Sequence, residues 1–100
     1  MKTIKKVPVK YEFTKGKDPL PNYDDMVECV IYVSEHHGIS EHKCLCGCGE
    51  IAIIGLKPKW NGWNLIKNNE EVYSIEPSIL NTNCPNKSHY IITKNVANFV

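Results

Sequence analysis

Thiols and imidazoles at short spacing are the groups in this sequence that are best suited to chemistry. The chain has 100 residues, five of them cysteines, and three cysteines stand at every second position of one short stretch. A fourth cysteine and two histidines complete a set of metal-ligand types. The candidate ligands are Cys44, Cys46, Cys48, Cys84, His89 and His42. A structural zinc ion needs only four such side chains in a tetrahedron, so the sequence predicts a metal site with two candidates in excess.

The spacing of the first group restricts its shape. In a straight strand Cys44 and Cys48 would lie about 13 Å apart. Two thiolates on one zinc ion lie roughly 4 Å apart. The segment must therefore form a tight turn, for which Gly47 and Gly49 are suited because glycine reaches positive φ. Cys84, far downstream, would close the site and join two distant hairpins.

The preference of zinc for thiolate ranks the four cysteines first, with His89 and then His42 as replacements. Zinc is the predicted cofactor, although thiolates also suit iron. A structural zinc ion contributes on the order of 10–16 kcal/mol to folding, which exceeds or matches the net stability of a small domain. The metal can therefore decide whether the chain folds.

Composition excludes several classes of protein. Hydrophobic residues make up 42% and charged residues 23%, which is typical of a globular domain. The net charge is +1 and every basic residue is a lysine, which argues against nucleic-acid binding because arginine is the usual reader of phosphate and guanine. The sequence has no apolar run of about 18 residues, so no membrane span is predicted. It has no recognisable secretory signal either, and we expect a cytoplasmic protein.

Hydrophobic patterning predicts a mainly β fold with little helix. Alternating or β-branched stretches predict strands over residues 7–13, 27–34, 51–56, 63–66, 72–75, 89–93 and 96–100. The last two form a hairpin turned at Lys94 and Asn95. We expect a turn over 35–41, a strand break at Pro77 and Ser78, and an irregular segment over 80–88. The result is a small antiparallel β-fold of short strands and hairpins, clamped by the zinc site.

Several strings together resemble a small family of bacterial and phage proteins, long catalogued as a domain of unknown function. They are residues 31–34 (IYVS), 42–49 (HKCLCGCG), Trp63, 77–79 (PSI), Cys84 and 88–90 (SHY). Some members of that family are encoded in operons for bacterial ubiquitin-like conjugation and are expected to bind metal. The resemblance implies metal binding and a conjugation-system or phage context. We therefore expect residues 1–100 to form one zinc-binding β domain, with a strand and flexible loop over 1–26 and the family-like region over 27–100.

Two main hypotheses for function remain open, with a third that is weaker. The first is a non-enzymatic module in which structural zinc holds a small β-fold that recognises a protein partner, such as a component of a ubiquitin-like conjugation system. The second is a zinc-dependent hydrolase with an open metal position and a histidine or glutamate as general base. The third is a thiol redox protein with an exposed cysteine of low pKa. Thiol-rich ligation favours a closed structural site, so we expect the first, without catalytic residues.

Overall fold

The computed structural model describes residues 6–100, which form two β-sheets. The strands are β1 (Lys6–Pro8), β2 (Lys10–Phe13), β3 (Val30–Ser34), β4 (Ile39–Lys43), β5 (Ile51–Gly55), β6 (Asn64–Asn69), β7 (Val72–Leu80), β8 (His89–Thr93) and β9 (Val96–Phe99). The large sheet has the strand order β1-β9-β8-β7-β6, and the small sheet has the order β2-β3-β4-β5. Strands β2 and β3 are parallel, and the other pairs are antiparallel. The prediction of a mainly β fold is confirmed; the helix in the described residues is the single turn Tyr23–Asp25.

The first predicted strand divides between the two sheets. Val9 N–H donates to Asn95 O at 2.8 Å, in the large sheet's last hairpin, and Lys10 N–H donates to Cys29 O at 3.0 Å, at the start of β3. The chain therefore changes sheets between neighbouring residues. Val9 is buried at this point, so the crossing also contributes to the core.

The core lies between the sheets and consists of the inward positions of their strands. These residues include Ile31, Val33, Ile54, Ile75, Ile79, Tyr90, Ile92 and Ala97. In β8 the burial alternates, with Tyr90 and Ile92 inside and His89 and Ile91 on the other face. This alternation fixes which residues of the large sheet can take part in chemistry at its outer face.

Strand β4 begins at Ile39, inside the turn predicted over 35–41; the turn is present over 35–38, and the prediction is wrong for 39–41. Its inward side chains are Ser40 and His42, both fully buried. Because these two residues are polar, the alternation of apolar and polar residues that marks a half-buried strand is absent. The strand is held instead by its neighbours β3 and β5, which pair with it on both sides.

Strand β7 continues through Pro77 to Leu80, so the predicted break is also wrong. Ile75 pairs with Ile92 and Ile79 pairs with Tyr90, which leaves residues 76–78 opposite the single residue Ile91. The proline falls in this bulge, where its missing N–H costs no regular ladder hydrogen bond. Bulges of this kind redirect side chains and occur often beside active sites.

The last hairpin, β8 and β9, is confirmed together with its turn. Lys94 and Asn95 have φ values of 46° and 64°, as a two-residue type I′ turn requires. Within residues 6–100 there is no helix with the length and apolar character needed to cross a membrane.

Candidate functional site

Four cysteine side chains meet between two turns at one end of the sheets. Cys44, Cys46 and Cys48 belong to the turn between β4 and β5, and Cys84 belongs to the segment between β7 and β8. The four sulfur atoms all lie within 4.8 Å of one another. We call these four residues the four-cysteine cluster.

Tight turns in both segments produce the cluster. Gly47 N–H donates to Cys44 O at 3.0 Å, and Lys87 N–H donates to Cys84 O at 2.9 Å. Gly47 and Gly49 have φ values of 86° and 89°, which favour glycine. The predicted tight turn around these glycines is thus present.

The geometry of the cluster fits a tetrahedral metal ion. Sγ of Cys46 lies 3.5 Å from Sγ of Cys44 and 3.4 Å from Sγ of Cys84, close to the roughly 4 Å of two thiolates on one ion. A hydrogen bond with Ser88, whose Oγ is 3.3 Å from Sγ of Cys84, lowers the pKa of the Cys84 thiol to about 6. The thiolate is the form that binds metal. The four-cysteine cluster can therefore hold a metal ion.

The two candidate histidines lie outside the four-cysteine cluster. His42 is fully buried, and its Nε2 lies 2.7 Å from the hydroxyl of Tyr90. Burial lowers the pKa of His42 to about 4, so the ring is neutral at pH 7. Nε2 of His89 points to another group, the hydroxyl of Ser78.

Ser78 and His89 form a second site on the outer face of the large sheet. Ser78 Oγ and His89 Nε2 are 2.7 Å apart, and both side chains are half-buried. We call these two residues the Ser78–His89 pair. Ser78 belongs to the bulge in β7. It lies two residues before Leu80, which is the register partner of His89 on β8.

Further contacts fix the main chain around the Ser78–His89 pair. Nε1 of Trp63 donates to the carbonyl oxygen of Ser78 at 3.2 Å. The N–H of Val100 donates to the carbonyl oxygen of His89 at 2.9 Å. The indole comes from the segment before β6, so three parts of the chain hold the pair.

An open cavity of about 450 Å³ adjoins Ser78. Its walls are Asn64, Glu76, Pro77, Ser78, Ile91 and Val100. That volume is within the usual range for ligand sites. A serine hydroxyl within hydrogen-bond distance of an imidazole supplies the first two groups that nucleophilic acyl transfer requires.

Comparison with known proteins shows the family of the chain. A family model described as "Bacterial ubiquitination-like system serine protease (BubE)" matches residues 17–100. The chain belongs to this family. The resemblance drawn from the sequence, to a family of bacterial ubiquitin-like conjugation systems, is thereby confirmed. No curated protein and no solved structure matches the chain.

The family corrects the functional prediction. The prediction of a non-enzymatic module is wrong, because the matching family is described as one of serine proteases. The functional prediction rested on the thiols alone. No local motif marks Ser78 as a nucleophile, because Ser78 and His89 are eleven positions apart and meet only through the pairing of β7 with β8. Ser78 and the histidine are present in the strings that carry the resemblance, but no local pattern distinguishes them as chemical groups.

Proposed function

We propose that this chain is a serine protease of a bacterial ubiquitination-like system, with Ser78 as the nucleophile and His89 as the general base. The 2.7 Å contact between Ser78 Oγ and His89 Nε2 carries this proposal. It lies within the distance over which a base can take a proton from a hydroxyl. The family name supports the same chemistry.

The proposed reaction follows from these two groups. As Ser78 Oγ attacks the scissile carbonyl carbon, its proton passes to Nε2 of His89. The C–N bond then breaks, the imidazolium gives the proton to the leaving amine, and the substrate's acyl group remains as an ester on Ser78. Water, deprotonated by the same nitrogen, attacks this ester, and the products are a carboxylate and free Ser78.

His89 acts in this proposal without a carboxylate partner. In the part of the chain that the structure describes, the ion pair is that of Lys67 with Glu35, and His89 takes no part in one. Its position depends instead on β8, whose main chain is held at His89 O by Val100. We infer a dyad, in which the strand supplies the orientation that an acid supplies in a triad.

Zinc is the metal we propose for the four-cysteine cluster. Four thiolates at tetrahedral spacing are typical of closed structural zinc sites, in which every position belongs to the protein. When bound, the metal supplies a cross-link between the β4–β5 turn and the β7–β8 segment. Since Cys84 lies between the strands of Ser78 and His89, this cross-link supports the Ser78–His89 pair.

The proposed substrates are the ubiquitin-like protein of the system or its conjugates. The family name supports a role beside conjugation components, without identifying the bond that is cut. We also propose a cytoplasmic location, since such conjugates and reduced thiols are found together there. The absence of arginine keeps nucleic acid an improbable partner.

Fluorophosphonate labelling tests the proposed nucleophile. The reagent esterifies a serine that an adjacent base activates, so we expect one adduct, located by mass spectrometry on Ser78. Both Ser78→Ala and His89→Ala should abolish it, while the matched variant Ser88→Ala, which alters the serine beside Cys84, should retain it. Labelling of Ser88, or of Ser78→Ala, would refute the assignment. Metal analysis of the same samples tests zinc, with about one ion per chain expected.

A further inference from the structure

A groove runs along the free edge of β5 and reaches the strand that carries Ser78. One wall consists of residues 51–54, and the other consists of Ile79, Leu80 and residues 81–83. Trp63 lies in the same groove, and its indole bonds to the Ser78 carbonyl. We call it the edge groove. Its second wall begins at Ile79, the residue that follows Ser78 in β7.

The β5 wall presents unpaired main-chain groups. Strand β5 is the last strand of the small sheet. Cys44 N–H donates to Glu50 O, and Leu56 N–H donates to Gly38 O, which fixes the alternation of the ladder. Residues 50, 52, 54 and 56 therefore bond to β4, whereas Ile51 and Ile53 direct their N–H and C=O groups away from it. Gly55 continues the outward series, since its carbonyl accepts the N–H of Trp63 at 2.9 Å.

The β7 wall is also open at this point. Strand β6 pairs with β7 only as far as Glu76, so β7 has no strand on that side beyond this residue. Asn81 N–H donates to Ser88 O at 2.9 Å, which makes this a hydrogen-bonded pair of the ladder with β8. Leu80, the residue before Asn81, therefore directs its N–H and C=O away from β8, towards the groove.

The side chains around the edge groove are uncharged. They come from isoleucine, alanine, tryptophan, leucine, asparagine and threonine, without a lysine or a carboxylate. Ile53 and Leu80 are 60% and 52% exposed, so both walls offer apolar side-chain surface to a bound segment. The outward main-chain groups of Ile51 and Ile53 on one wall, and of Leu80 on the other, with apolar surface between them, match an extended polypeptide that has few charges.

We propose that the edge groove binds the substrate as an added strand along β5, and so leads its scissile bond to Ser78. The occupant is an uncharged, extended segment of the C-terminal tail of the system's ubiquitin-like protein. This inference rests on the proposed protease function and adds how the substrate is recognised. Main-chain bonding at alternate residues gives affinity, and Ile53 and Leu80 select apolar side chains.

Ile53→Pro tests the β5 edge with little disturbance of the sheet. Ile53 directs its N–H outwards, so proline removes a groove donor and leaves the bonds to β4 intact. One lost hydrogen bond should lower kcat/KM by about three- to tenfold for a fusion of the ubiquitin-like protein's C-terminus to green fluorescent protein. Fluorophosphonate labelling, which needs only the Ser78–His89 pair, should remain at the wild-type rate. The matched variant Ile53→Val keeps both the N–H and an apolar side chain, so its kcat/KM should fall by less than that of Ile53→Pro. An Ile53→Pro variant that cleaves the fusion normally would overturn the proposal.

A second measurement uses the wild-type chain, so it tests strand addition in the edge groove even if Ile53→Pro folds poorly. Tail peptides of about ten residues, each N-methylated at one position, compete with the fusion for cleavage. A strand added along β5 predicts that inhibition falls most at every second position, where the peptide N–H faces β5. Equal inhibition at all positions would refute substrate binding in the edge groove. If fluorophosphonate still labelled Ser78, the protease function would be unaffected by that result. A chain that neither labels at Ser78 nor cleaves the fusion would instead refute the protease function itself.

Discussion

The four-cysteine cluster and the Ser78–His89 pair are built in opposite ways. Three of the four cysteines come from a single turn, and their contacts follow from local glycines and spacing. The two residues of the pair come from neighbouring strands and meet through one bulge in β7. A metal site needs several ligands of one chemical type and so leaves a dense pattern in the sequence. A serine dyad needs one ordinary residue on each of two strands, which leaves no such pattern.

The two regions are joined by the segment between β7 and β8. It is folded by hydrogen bonds of its own, including Cys84 N–H to Asn81 O at 3.1 Å and Asn81 N–H to Ser88 O at 2.9 Å. The segment carries Cys84 into the four-cysteine cluster and returns the chain to His89. The cluster should therefore control whether the fold exists, and the pair should control only the rate of hydrolysis.

Removal of bound metal has the largest expected effect. Structural zinc contributes on the order of 10–16 kcal/mol, against a net stability of about 5–15 kcal/mol for a small domain. Treatment with a strong chelator should therefore unfold the chain and abolish hydrolysis, as measured by circular dichroism and by cleavage of the fusion. Ser78→Ala, used as the control, should unfold under the same conditions. A chain that stays folded and active without metal would show that the four-cysteine cluster does not control the fold.

Replacement of either residue of the Ser78–His89 pair should leave the fold intact. Ser78→Ala or His89→Ala should lower kcat/KM by about a thousandfold or more, because neither residue acts well without the other. The free energy of unfolding should change by only about 1 kcal/mol, since one half-buried hydrogen bond is lost. Denaturant titration and metal analysis of the same variants measure the contrast. Loss of metal from either variant would show that the regions are not separable.

Tyr90→Phe tests the boundary between the two regions, because Tyr90 and His89 are neighbours on opposite faces of β8. The variant leaves Nε2 of the buried His42 without its 2.7 Å partner, which should cost about 1–3 kcal/mol of stability. Hydrolysis by the folded variant should stay within about threefold of the wild type, since the outer face is unchanged. A urea titration gives the stability. A much larger fall in kcat would show that the core side of β8 sets the position of His89.

Lys67→Ala should change neither region. Lys67 Nζ lies 3.0 Å from Glu35 Oε2, and both side chains are 57% exposed. Exposed pairs of this kind contribute less than about 1 kcal/mol, so the unfolding free energy should fall only slightly and kcat/KM should stay constant. The same titration and cleavage assay measure both. A marked loss in either would indicate a role for this surface that the two sites do not explain.

Much of the fold could be predicted, and the exceptions share a physical cause. The β8–β9 hairpin was predictable because its strands are apolar and its turn residues accept left-handed φ. Strand β4 was not, because it buries Ser40 and His42 where the pattern requires apolar residues. The continuation of β7 through Pro77 was not, because a bulge absorbs the residue that should end a strand.

The candidate sites divide in the same manner. Placing the three clustered cysteines in a tight turn with Cys84 nearby followed from residue type and the size of a metal site. That they bind zinc stays a prediction. The contact between Ser78 and His89 was not predicted, and His89 was taken instead for a replacement metal ligand.

The sequence by itself determined the β class, the metal-binding capacity of the four cysteines and the family. Those properties follow from residue types at short spacing, which need no knowledge of distant contacts. Only the tertiary structure decided that Ser78 faces His89 and that the edges of β5 and β7 open beside them. These relations depend on strand register, and one step of register would turn every side chain to the opposite face. Register is set by the packing of the whole core, so the meeting of Ser78 with His89 is visible only in the folded chain.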